Sequence, residues 1–144
     1  MKVIGTDEGR CWNALGANWT IKLSGHDTNG AFALLEQVVE PGSGTPLHVH
    51  EEEDETLIIL EGEADLQVDK EVRQVGPGTT IHLPRRTPHA LIATGDRTCR
   101  VLHILAPAGL ENYFCEIVRQ TADCSGDWNA VVALSAEYGI RFLP

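Results

Sequence analysis

Three histidines and a glutamate stand at spacings that suit a transition-metal ion. Residues 42–62 read GSGTPLHVHEEEDETLIILEG, so Gly42 is followed after five residues by His48, after one more by His50, after four by Glu55 and after six by Gly62. Side chains two apart on a strand leave the same face, so His48 and His50 project together while Val49 points away. Glu55 follows an acidic turn on the returning strand, where Leu57 and Ile59 share its face; its gap to His50 favours it over Asp54. A second segment, GPGTTIHLPRRTPHALIA, places His89 behind a Pro-bounded turn at the start of another strand. Three neutral imidazoles with one carboxylate suit one divalent transition metal (Fe, Ni, Mn, Co, Cu or Zn) better than Ca or Mg, which prefer oxygen. Open positions would remain for water or substrate.

The remaining polar candidates read more plainly. His82 and His103 lie on strands whose inward register is left open by the intervening turns. Each is taken as an ordinary surface or core histidine, with a place in the cavity or an added ligand as the alternative. His26 sits in a solvated turn, SGHDTNG. Arg85 and Arg86 are assigned to balancing an acidic chain rather than to meeting an anionic substrate. Tyr113 and Phe114 fit helix packing as well as an aromatic lid. Leu57, Ile59, Leu66, Val68, Leu91 and Ile104 are candidates for an apolar lining.

Short strands must position these groups. Apolar runs at 19–23, 31–40, 47–50, 56–62, 63–69, 79–84, 88–94 and 99–106 are separated by DTNG, EPGSGTP, VDKE, VGPG, PRRTP and TGDR, all rich in turn formers. Strands this short rarely build a parallel sheet; a sandwich or barrel follows. After Pro107 the period changes. Leu110, Phe114 and Ile117 predict a helix over about 109–118, and Val131, Leu134 and Tyr138 a second from Asp127 to Tyr138, stopped by Gly139. The helices are expected to cover an open barrel end or to pack outside it. The expectation is one domain over 1–144, with a barrel core at about 19–106 and a helical segment at about 108–144.

Composition narrows the partners. With 21 acidic against 11 basic residues, the formal charge is −10, which repels nucleic acid and anionic lipid. No stretch has the apolar length of a signal peptide core or a membrane span, so a cytoplasmic protein without nucleic-acid or membrane partners is expected. Cys11, Cys99, Cys115 and Cys124 show no CxxC spacing and are read as reduced, mostly buried thiols.

The two histidine segments resemble the motifs of the cupin superfamily, in its single-domain bacterial form. GxxxxxHxHxxxxExxxxxxG is matched in full by Gly42, His48, His50, Glu55 and Gly62, and GxxxxxPxGxxHxxxN by Gly78, Pro84 and His89. Arg86 stands at the second motif's Gly position and Ala93 at its Asn position, and neither change removes a ligand. The resemblance implies an all-β fold, the double-stranded β-helix or jelly-roll barrel with short C-terminal helices. It also implies one metal ion on His48, His50, Glu55 and His89, a small-molecule substrate and a homodimer. Similarity to quercetinase-like cupins implies a metal-dependent dioxygenase acting on a hydrophobic, flavonol-like enol, with Glu55 as the catalytic group that accepts the proton of the bound hydroxyl. The alternatives are a zinc-dependent polyketide cyclase and a non-catalytic ligand-binding cupin.

Overall fold

The computed structural model describes residues 1–14, 16–120 and 127–144, Gln120 by its backbone alone. In chain order the elements are β1 (Arg10–Ala14), β2 (Ala17–Leu23), α1 (Gly25–Thr28), β3 (Ala33–Val39), β4 (Gly44–His50), β5 (Asp54–Glu61) and β6 (Glu63–Val68). They continue with β7 (Glu71–Val75), β8 (Thr80–Leu83), β9 (His89–Thr94), β10 (Cys99–Ala106), α2 (Glu111–Gln120), α3 (Trp128–Glu137) and β11 (Ile140–Phe142). Two antiparallel sheets face each other. One has the order β1-β2-β3-β10-β5-β8 and the other β11-β4-β9-β6-β7.

Alternation decides which side chains enter the space between them. Along β3 the buried row is Ala33, Leu35, Gln37 and Val39; along β10 it is Cys99, Val101, His103 and Leu105; along β5 it is Glu55, Leu57 and Ile59. Trp19 and Ile21 from β2 and Leu66 and Leu91 from β6 and β9 fill the same core. Gly62, between β5 and β6, has φ +74°, and a Cβ there would stand 2.3 Å from the Thr98 carbonyl oxygen, so the turn closes only around glycine.

The eight expected strands are present, and both expected helices appear within a few residues of their anticipated limits. Three further strands and a four-residue helix were not expected. β1 and β7 are mostly exposed and carry no apolar alternation, β11 has three residues, and α1 occupies the SGHDTNG segment read as a turn. Strands therefore extend on both sides of 19–106. β5 also does not return against β4: it pairs with β10 and β8 in the opposite sheet.

Lys22 ties the N-terminal segment down, its ammonium donating to the carbonyl oxygens of Gly5, Thr6 and Glu8. Cys99 is buried, Cys115 half-buried and Cys11 exposed, all as free thiols, while Cys124 lies outside the described residues. Among the described residues no helix is long and apolar enough to cross a membrane.

Candidate metal centre

His48 and His50 stand on β4 and His89 directly opposes His48 on β9, so one sheet supplies all three imidazoles. Their ligand atoms lie within 4.8 Å of one another, and all three residues are buried. Nδ1 of His48 donates to the Pro46 carbonyl at 2.8 Å and Nδ1 of His89 to the Thr87 carbonyl at 2.9 Å. In both rings a backbone carbonyl two residues back takes the Nδ1 proton and leaves the Nε2 lone pair facing inward. Nε2 of His48 and His50 are 3.1 Å apart.

Glu55 reaches this point from the other sheet. Its Oε2 is 2.9 Å from His89 Nε2 and 3.4 Å from His50 Nε2, while Oε1 accepts a 2.7 Å hydrogen bond from His103 Nδ1. The convergence expected from a returning strand is thus achieved across the sandwich. Burial, reinforced by the His89 and His50 imidazoles, pushes His48 down to about 3, so it is neutral at physiological pH. Burial pushes the Glu55 carboxyl up, but the His50 imidazole and hydrogen bonds from His103, His50 and His89 outweigh it and hold the group well below the usual carboxylate range. Burial lowers His89 as well, and Glu55 more than compensates, raising its affinity for a proton and, by the same electrostatics, for a metal cation.

The donors fit such a cation. Without one, His50 Nδ1 is buried and has no hydrogen-bond partner, and His89 Nε2, although 2.9 Å from Glu55 Oε2, meets that oxygen off the line of a well-formed hydrogen bond. A divalent ion meeting the three Nε2 lone pairs would give His89 Nε2 a well-aligned partner.

The histidine cluster and Glu55 open onto a cavity with a mostly apolar wall. Thr45, Leu57, Leu91 and Leu105 come from the sheets, Trp19 from β2, and the C-terminal segment adds Leu110, Tyr113, Phe114, Ile140 and Phe142. Tyr113 and Phe114 therefore belong to the cavity lining as well as to helix packing. Of the six residues expected to line it, Leu57 and Leu91 do. Ile59 and Leu66 are in the core away from it, Val68 is packed at the core edge, and Ile104 has the outward register of β10. His82 is exposed, bonded to Thr56, and His26 is exposed too. Arg85 forms a two-pronged ion pair with Asp54, and Arg86 pairs with Glu51, the charge-balancing roles expected of them.

Gln37 is a site residue that sequence reasoning does not single out, and His103 takes the place in the cavity, the alternative to an ordinary core histidine. Both line the cavity and bond to each other. The available signal was a single polar residue in each of two apolar alternating rows.

The comparisons with known proteins agree with this geometry. The Cupin domain family model matches residues 35–105. The chain is 37% identical over 70 residues to the uncharacterized protein MJ1618 of Methanocaldococcus jannaschii, covering 49% of this chain and 56% of that one. It is 29% identical over 79 residues to quercetin 2,3-dioxygenase of Bacillus subtilis, covering 55% of this chain and 23% of that one. The chain thus spans about half of the first relative and under a quarter of the second. Among solved structures, the polyketide cyclase RemF from Streptomyces resistomycificus superposes with a TM-score of 0.65 at 28% identity, covering 74% of this chain and 79% of that one. Two facing antiparallel sheets with an inward histidine cluster define the class, and the chain belongs to the cupin superfamily.

Proposed function

We propose that the protein is a small metalloenzyme, a dioxygenase acting on a hydrophobic, flavonol-like enol. The observation that carries this reading is the convergence of three buried imidazoles and a carboxylate on one wall of an apolar, aromatic-lined cavity. His48, His50 and His89 would hold a divalent metal, with Glu55 at its edge; when bound, the ion supplies Lewis acidity and, if redox-active, access to dioxygen chemistry. The chain's own residues do the rest. The apolar wall excludes water and orients a flat substrate, and Glu55, ionised and aimed at the same point, accepts the proton of the substrate hydroxyl. The likeness to the Bacillus dioxygenase supports this reading.

The likeness to RemF supports a second one, a zinc-dependent cyclase in which the same carboxylate moves a proton and no oxygen is consumed. Under either reading the working unit is a homodimer in the cytoplasm. The test is elemental analysis of protein purified without chelator, followed by oxygen uptake with a flavonol. The dioxygenase reading expects Fe, Ni, Mn, Co or Cu and uptake that is lost in His89→Ala. Zinc with no uptake overturns it in favour of the cyclase.

A further inference from the structure

Glu55, His103 and Gln37 form a hydrogen-bonded diagonal across three adjacent strands. In register, His103 opposes Leu57 on β5 and Leu35 on β3, Glu55 opposes Leu105, and Gln37 opposes Val101. Each contact is therefore with the residue two places along, the diagonal neighbour on the same face. His103 Nδ1 donates to Glu55 Oε1 at 2.7 Å, and its Nε2 lies 3.0 Å from the Gln37 amide. A half-turn of that amide exchanges its oxygen and nitrogen, so that it donates to the ring lone pair. The Trp19 ring packs on the imidazole at 5.1 Å, and all three polar residues are buried. A polar diagonal set in an apolar wall calls for a purpose.

We propose that His103, braced by Gln37 and Trp19, is a positioning residue that presents Glu55 to the metal through one oxygen only. The proposal rests on reading His48, His50 and His89 as a metal centre. With Oε1 committed to His103, only Oε2 faces His50 and His89. A carboxylate free to turn could offer both oxygens, filling a coordination position that substrate needs. Both of His103's nitrogens are already engaged, so it is not itself a ligand. The Gln37 contact also prevents the ring from flipping, which would put a C–H where Nδ1 now meets Glu55.

Cobalt(II) provides the readout, because its visible absorption weakens as coordination number rises, whether or not the protein turns over a substrate. Parent protein, His103→Leu, His103→Asn and Gln37→Leu are titrated with cobalt, with folding checked by circular dichroism. His103→Leu is expected to bind about 10- to 100-fold more weakly, as for loss of a partner behind a ligand, and to show weakened bands. His103→Asn, whose side-chain N–H falls where Nδ1 stood, is expected to restore the parent spectrum. A folded Leu variant with the parent's spectrum and affinity overturns the proposal. So does an Asn variant as altered as the Leu one, since packing rather than the hydrogen bond would then be responsible. Should His103→Leu not fold, Gln37→Leu carries the test: a shift in the same direction supports the brace, and an unchanged spectrum overturns it. A parent that takes up no cobalt overturns the metal reading itself, and the proposal with it, whereas a loaded parent with indifferent variants overturns the positioning role alone.

Discussion

Under the proposed function two tasks share the Glu55 side chain, and substitution separates them. Three imidazoles suffice to hold a divalent metal, so Glu55→Gln is expected to lose less than half its metal. The amide is no effective base, and turnover that begins with hydroxyl deprotonation should fall on the order of a hundredfold. Metal content and oxygen uptake measured on the same preparation check both halves, and full activity in the Gln variant would rule out the proton transfer. Arg86 makes a different point. It occupies the glycine position of the second cupin motif with φ +67°, and its N–H donates to the His50 carbonyl. A left-handed non-glycine residue costs roughly 1–2 kcal/mol, and glycine gives back roughly 0.5–1 kcal/mol in chain entropy, so Arg86→Gly should stabilise by up to about 1 kcal/mol. The lost ion pair to Glu51 is exposed and contributes little. Thermal melts of the metal-free pair measure the difference.

At this scale His48 and His50 were legible because spacing two apart on a strand needs no long-range register, whereas Glu55 and His89 were picked out by motif spacing and are brought in by pairings the sequence did not show. The places of His103 and Gln37 were not legible. Their inward orientation follows from pairing β10 with both β3 and β5, strands up to 66 residues apart at the bonded atoms. Periodicity within one strand gives alternation but not which alternate faces in.

The elements show the same division. Eight strands declared themselves through apolar runs between turn formers, whereas β1 and β7 are edge strands with largely exposed side chains and so lack a core pattern to read. β11 owes its existence to its partner. Its Ile140 and Phe142 pair with His50 and His48, and α3 places it there. That helix starts on Asp127, whose carboxylate accepts from the Asn129 and Ala130 amides at 3.0 and 3.4 Å. Asp127→Ala should cost about 1 kcal/mol, as N-cap losses do, read from the urea midpoint. Because α3 leads into the strand that walls the ligands, cobalt affinity should weaken with it; an unchanged midpoint would mean that the cap is not used in solution.

For the whole molecule, the buried histidines set a pH window. The His48 imidazole ionises near 6.5 in an unfolded chain and at about 3 in the folded one, so below 6.5 the unfolded state binds the extra proton. Glu55, lowered when folded, adds to the loss below its ordinary 4.5, while His89, raised, opposes it. Metal-free protein should therefore be most stable near about pH 6.5, lose on the order of a few kcal/mol towards pH 4 as His48 and Glu55 dictate, and weaken again at higher pH as the raised His89 gives up its proton. Urea midpoints at pH 8, 6, 5 and 4 would show this, and a flat profile would refute it. Assembly is the second expectation at this scale. The exposed sheet edge at β1 favours a homodimer, and light scattering should give about twice 15.7 kDa rather than a monomer.

β11 also imposes an order in time. A ribosome delivers His48, His50, Glu55 and His89 long before Ile140 and Phe142, which sit 90 residues or more beyond the β4 residues they pair with. Until those last residues emerge, the imidazoles face water along an unpaired β4 edge. The nascent chain would thus carry a solvent-open histidine cluster whose enclosure waits for residues 140–142, and under the proposed reading an ion loaded before then would be sealed in by the closing strand.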